Sequence, residues 1–347
     1  MPPFPTNTVE VKRGEPKACA VLALSRGGCL MGQRLASALG GDFYACKGRL
    51  HEVITQVWQQ YQHIVCIMAT GIVVRTLAPL LQDKYHDPAV VVCDERGQYA
   101  ISLISGHLGG ANALAREVAA ITGGQPVLTT ASDVLGQTPL DLWCRDLGLT
   151  VTSKEALTKA MGRLVDQGKL TLWSRYPLPE LPDDLVATTD RNAADLIIDV
   201  QLDIPPHAAL LVPKALVFGV GCNRGTPVEE IAQAIEETCV RYNLAPDAIA
   251  QLASIDLKQD EAGLLAYAYQ QQLPLVFFST DQLNQVEGIS SSAAVLKATG
   301  AKGVAEPAAL LAAGGGSTLL AGKIKWPEVT TAVAAIVDPL IHVQKEI

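Results

Sequence analysis

The chain has no C-x-x-C pair, no G-x-S-x-G elbow and no H-E-x-x-H motif. These absences argue against a zinc site of the usual spacing and against a serine hydrolase of the strained-turn type. Its eight cysteines, at 19, 29, 46, 66, 93, 144, 222 and 239, mostly fall inside apolar strands or helices, so reduced core thiols are expected. No apolar run approaches the ~18 to 20 residues that a membrane helix needs. The N-terminus MPPFPTNTVEVKRGEPK has no hydrophobic signal core, which predicts a cytoplasmic protein with a flexible leader over residues 1–17. Positive charge is in deficit too: 27 Lys and Arg against 35 Asp and Glu give a net charge of −8. That excludes the broad basic surface nucleic acid demands, and an anionic ligand would need cations gathered locally.

What is present is core material. At 347 residues, 49% hydrophobic and 18% charged, the chain reads as globular with two or three folding units. CAVLALS from Cys19, FYAC from Phe43, HIVCIMAT, AVVVCD, YAISLIS from Tyr99 and PVLTTASD are strand-like, and they alternate with helical patterns such as ALAREVAAITGG. The segment ERGQ between two of the runs holds Gly97, suited to positive φ, and predicts a hairpin or tight return. The expected fold is α/β: two three-layer α/β/α domains with mainly parallel or mixed sheets, over residues 18–147 and 214–347. A small proline-rich middle segment over 148–213 joins them, with Pro177, Pro179, Pro182, Pro205, Pro206 and Pro213. No fixed-period repeat is found.

Chemistry concentrates between Ile67 and Asn112. There Arg75, Lys84, Asp87, Asp94, Glu95, Ser105, His107 and Asn112 surround short apolar runs. Open α/β sheets place ligands in the crevice past the carboxyl ends of their strands, and Thr70, Asp94 and Ser105 each follow a strand. In SGHLGGAN, Gly106, Gly109 and Gly110 permit close backbone approach, and the helix starting near Gly110 directs N–H groups outward. Amides of Gly109 and Gly110 are thus candidates for an oxyanion or carboxylate site. His107 is the first candidate for general acid or base, since imidazole titrates near neutral pH; a plain hydrogen bond to a carbonyl is the alternative. Asp94 and Glu95 either orient His107, take the proton themselves, or simply shape a turn. Arg75 and Lys84 either clamp substrate carboxylates or pair internally with Asp87 or Asp94. Thr129, Thr130, Ser132 and Asp133 cluster at another strand exit, where Asp133 alone would serve as a helix cap. Gly27 and Gly28 form a tight turn or an anion cradle. Gly219, Gly221 and Gly225 give G-x-G-x-x-x-G, one residue too long for the dinucleotide fingerprint, and leave anion capture by Arg224 and Lys258. Glu306 before Pro307 reads as a helix start. His51, His63 and His207 are given no chemistry.

The strings ATGIVVR, DKYHDPAVVV, DERGQYAISLISGHLGGAN and TTASD, with GVGCNRGT, SIDLKQDE and VAEPAALLA further on, resemble the motifs of the CbiG family of anaerobic cobalamin biosynthesis, in order along nearly the whole chain. The part after about Lys214 also resembles CobE, a protein of the aerobic route. Ser132 stands where the family usually has Thr, Asn223 where it often has a basic residue and Gly303 where it often has Ser. The resemblance implies cobalt-precorrin-5A hydrolase activity: opening a δ-lactone on a cobalt-bound contracted tetrapyrrole and expelling the extruded bridge carbon as acetaldehyde. On this reading the catalytic candidates are His107, Asp94 and Glu95. The substrate-binding candidates are Thr70, Gly71, Arg75, Lys84, Ser105, Gly109, Gly110, Asn112, Thr129, Thr130, Asp133, Arg224 and Lys258. No cofactor or resident metal is expected, because the substrate carries the cobalt. The tetrapyrrole, neighbouring methyltransferases of the route and a second copy of the chain are the candidate partners. A non-catalytic carrier of such intermediates is the alternative.

Overall fold

The computed structural model describes residues 17–83, 86–289 and 291–340. The chain divides into two compact units at Leu142/Trp143.

The first unit is built on a six-stranded sheet in the order β2-β1-β3-β4-β5-β6. Its strands are β1 (Lys17–Ala23), β2 (Asp42–Ala45), β3 (Tyr61–Ile67), β4 (Ala89–Cys93), β5 (Tyr99–Ile104) and β6 (Gln125–Val127). Its helices are α1 (Arg26–Ala38), α2 (Leu50–Trp58), α3 (Thr70–Leu77), α4 (Ala111–Thr122), α5 (Ala131–Leu135) and α6 (Leu140–Asp146), the last running past the boundary. Strand side chains alternate between faces. Cys19, Val21 and Ala23 pack with Leu35 of α1 and Leu114 and Val118 of α4. Ala20 and Leu22 turn the other way, onto Val53 and Ile54 of α2 and Val73 and Leu77 of α3. All five residues of β4 are buried, as a strand covered on both sides requires.

One pairing decides where the loops go. Strands β1 to β4 run parallel, but β5 returns antiparallel, with Cys93 opposite Ala100 and Val90 opposite Ile104. Strand β6 follows the direction of β5. Loops after β5 and β6 therefore emerge at the edge where β3 and β4 begin. The Gly97 turn has φ +69, as its sequence suggests.

The second unit holds two five-stranded sheets. The first, in the order β7-β11-β10-β8-β9, contains β7 (Thr150–Val151), β8 (Leu170–Ser174), β9 (Leu185–Ala187), β10 (Leu196–Ile198) and β11 (Ala209–Val212), with α7 (Lys154–Gln167) beside it. The stretch expected to be a mere proline-rich connection thus carries a sheet of its own. Its short strands, two to five residues each, leave too few alternations to show as periodicity.

The other sheet runs β14-β13-β12-β16-β15. Here β12 (Leu216–Cys222), α8 (Val228–Tyr242), β13 (Ile249–Ile255), α9 (Ala262–Gln270) and β14 (Leu275–Phe278) form the parallel part. They are followed by α10 (Thr280–Asn284), α11 (Ala293–Thr299), α12 (Ala305–Ala313) and the hairpin β15 (Thr318–Lys325) and β16 (Val329–Ala335). A Cβ on Gly219 would lie 1.8 Å from the Ala305 carbonyl oxygen. The first glycine of the G-x-G string thus lets α12 pack directly on β12. No helix among the described residues is long and apolar enough to cross a membrane. All eight cysteines are free thiols, six of them buried, and burial pushes Cys66 up to about 12.

Candidate active site

At the edge where β3 and β4 begin, side chains from three segments converge on the Asp133 carboxylate. Oδ2 accepts from Asn112 Nδ2 at 2.7 Å, Thr130 Oγ1 at 2.8 Å and His107 Nε2 at 2.9 Å, and Oδ1 accepts from Arg116 Nη2 at 2.6 Å. Asn112, itself buried, also donates to Thr130 Oγ1 at 3.0 Å and accepts from Ser102 Oγ at 2.6 Å. Burial by itself would raise the Asp133 pKa. The hydrogen bonds from Thr130, Arg116 and His107 outweigh it and hold the carboxyl below its usual range.

That ionised carboxylate fixes the tautomer of His107. An ionised carboxylate only accepts, so His107 Nε2 must carry the proton it shares with Asp133. Ser132 Oγ lies 3.1 Å from the same nitrogen, and a nitrogen already protonated cannot activate it as a nucleophile. Nδ1 remains, 3.6 Å from Asp141 Oδ1, beyond a direct bond. The side chains of His107 and Asp141 are 11% and 6% exposed. An imidazole held this way, with one nitrogen anchored and the other unanchored, can pass a proton.

The loop before α4 explains why these residues meet. Ser105 is left-handed, φ 57, and its hydroxyl donates to the Asp87 carbonyl at 2.9 Å. A Cβ on Gly109 would sit 2.4 Å from Ser105 Cβ, so the loop doubles back only with glycine there. Gly110, φ 88, precedes the helix. The Gly110, Ala111 and Asn112 amides donate to the carbonyls of His107, Ser105 and Gly106. The Gly110 amide, expected to face an oxyanion, is thus spent inside the loop.

The other motif residues lie elsewhere. Thr70, Gly71, Asp94 and Glu95 sit at the opposite edge, past the ends of β3 and β4, because β5 and β6 run opposite to those strands. The Asp94 carboxylate caps the hairpin, accepting from the Arg96 amide at 2.8 Å and the Tyr99 amide at 2.7 Å. Glu95 lies near Gly27, and Gly28 donates to Ser25 Oγ at 3.0 Å in a capped turn. The exposed Arg75 donates to the Gly71 carbonyl of its own helix at 3.0 Å. The single cleft expected to join His107 with Arg75, Asp94 and Glu95 is therefore divided between two edges. Lys84 lies outside the described residues, and Thr129 is exposed beside the network.

Arg224 and Lys258 belong to the second unit. Arg224 is a loop clasp, donating to Asp260 and to the Leu257 carbonyl. Lys258 Nζ lies 3.2 Å from Glu261 Oε2. Sequence reasoning passed over Ser102, Arg116, Asp141 and His63. Arg116 was within reach, since it falls one helical turn after Asn112. His63, half-buried, hydrogen-bonds the Gly109 backbone, and burial lowers its pKa; only the reversal of β5 brings that loop to it.

The family models Cobalamin synthesis G N-terminal and Cobalamin synthesis G C-terminus match residues 52–133 and 216–334. A cobalt-precorrin-5A hydrolase from Priestia megaterium is 36% identical over 317 residues, covering 83% of this chain and 82% of that protein. One from Salmonella typhimurium is 34% identical over 325 residues, covering 86% and 92%. Protein CobE of Sinorhizobium sp is 35% identical over 121 residues, 34% of this chain and 79% of its own, a similarity that lies in the C-terminal region.

Proposed function

The chain belongs to the CbiG family of cobalamin biosynthesis, and from that premise we propose that it is a cobalt-precorrin-5A hydrolase. Water adds to the δ-lactone carbonyl of a cobalt-bound tetrapyrrole, and the ring opens to a carboxylate and an alcohol. Loss of the alcohol proton then breaks the adjacent carbon–carbon bond and releases acetaldehyde. The macrocycle takes up the electron pair, so the chain brings no cofactor and the cobalt enters as part of the substrate. The observation that carries this reading is the identity of 36% over 82% of a relative that bears this activity in its name.

The proton work falls to His107. With Nε2–H anchored on Asp133, Nδ1 accepts a proton from water or from the freed alcohol, and Asp141 stabilises the imidazolium that results. Asn112, Thr130 and Arg116 keep Asp133 ionised and fixed, which holds the ring in one tautomer. The tetrapyrrole is the ligand, and methyltransferases acting on its precursor and product are the neighbouring enzymes. A cytoplasmic location fits a biosynthetic enzyme like these relatives, and a second copy of the chain is the candidate partner.

Anaerobic incubation of the purified chain with the lactone intermediate, without nucleotide, should release one acetaldehyde per molecule opened. The CobE-like C-terminal region favours a carrier as the second reading. Tight binding of the intermediate with no aldehyde would establish it in place of the first.

A further inference from the structure

The second unit contains a cavity of about 250 Å³ past the carboxyl ends of β12 and β13, lined by Gly221, Cys222, Ile255, α11, the start of α12 and the β15–β16 hairpin. Its volume is below the ~300–1,000 Å³ typical of sites for drug-sized ligands. Its enclosed part has the size of a small metabolite.

Charges of both signs line its wall, Lys258 and Lys323 with Glu306 and Glu328, and Glu306 and Lys258 are the most buried carboxylate and ammonium among them. Glu306 is 8% exposed, and its Oε1 accepts the Lys323 amide at 3.0 Å. Its Oε2 has no hydrogen bond or ion pair among the described residues. That oxygen is thus open to a donor from a ligand. The second pole is Lys258. Its ammonium is held 3.2 Å from Glu261, with side chains 12% and 3% exposed, and so is fixed in place. On the same cavity wall α12 starts at Val304 with no side-chain cap, leaving the leading amides of Ala305 and Glu306 to attract an anion. Between the poles the wall is apolar, with Val295, Ala298 and the Trp326 ring.

We propose that this cavity binds a small α-amino acid, its ammonium on Glu306 Oε2 and its carboxylate toward Lys258 and the α12 amides. A carboxylate alone leaves Glu306 Oε2 without a donor, and an ammonium alone leaves the α12 amides without an acceptor. Only a ligand carrying both charges satisfies both poles. The site shares no residue with the His107 network and stands whether or not the hydrolase reading does.

The test is calorimetric titration of the full chain with L-alanine, L-serine and L-glutamate, added singly, with propionate and propylamine as one-charge controls. Trp326 emission provides a second readout. At least one amino acid should bind with Kd below ~1 mM, and both controls at least tenfold more weakly. Glu306→Gln should weaken that binding at least tenfold while circular dichroism stays unchanged. Should that variant not fold, Ala298→Leu fills the wall from the side and should abolish binding. No saturable binding by any of the three amino acids, propionate or propylamine binding equally well, or unchanged affinity in a folded Glu306→Gln or Ala298→Leu protein would each overturn the proposal.

Discussion

The two loop edges of the first sheet carry comparable sets of polar residues, yet only one becomes a connected network. At the edge where β3 and β4 begin, Asp133 gathers donors from the β5–α4 loop, from α4 and from its own segment. At the opposite edge Asp94 serves its own hairpin, Arg75 its own helix and Ser25 its own turn. The difference lies in sequence separation: the bonds at Asp94, Arg75 and Ser25 are local, whereas His107 and Asn112 reach Asp133 across 26 and 21 residues. Local bonds fix loops cheaply. Long-range bonds order side chains that could otherwise roam, which is what a proton-transferring site needs.

The sharpest way to break this comparison is to remove the imidazole. His107→Ala should lower acetaldehyde release by ~10²-fold or more with folding intact, the usual scale for general acid–base loss; near-normal release would take His107 out of the mechanism. Asp133→Asn should come next. The variant loses the charged acceptor for four donors, which costs about 2–3 kcal/mol of stability, read as a lower urea midpoint. The pH dependence has a definite sign. Because the folded carboxyl titrates below the usual 3.8, its stabilisation is complete above that pH and is lost as pH falls through the lower folded value. The gap between wild type and Asp133→Asn should thus be present from neutral pH down to about 5 and close below 3.8. A gap that persists undiminished in acid below the folded value would contradict the assigned network.

A paired glycine test sharpens the contrast further. In Gly109→Ala the new Cβ meets Ser105 at 2.4 Å and its carbonyl at 2.8 Å, so the loop must shift, at ~1–3 kcal/mol. In Gly71→Ala it meets only the end of the Arg75 side chain, at 3.2 Å, which can move; thermal unfolding should change by less than ~0.5 kcal/mol. Equal losses at both sites would remove the distinction between the edges. The smallest effect expected is that of Arg75→Ala, less than about threefold in turnover or KM, within the range of a surface residue away from the chemistry. A large KM rise that weakens with salt would restore Arg75 as a substrate clamp and move the site to the other edge.

Much of this was legible beforehand. The strands of the first unit, the Gly97 hairpin and the helix ALAREVAAITGG follow from apolar periodicity and turn chemistry. His107, Asn112, Thr130 and Asp133 stood out because polar residues beside glycines at a strand exit have little structural reason to be there. The middle sheet did not show, since strands of two to five residues carry almost no pattern. Asp141 did not show either, because its role depends on an imidazole 34 residues away in sequence.

Composition and periodicity by themselves made this an α/β protein with free buried thiols, and motif order placed it in its family, because those signals are local and survive in one dimension. Which polar groups share a site was decided only in three dimensions. A strand's direction in its sheet is set by pairing with neighbours distant in sequence, and one antiparallel strand, β5, carried His107 to one edge and left Arg75 and Asp94 at the other.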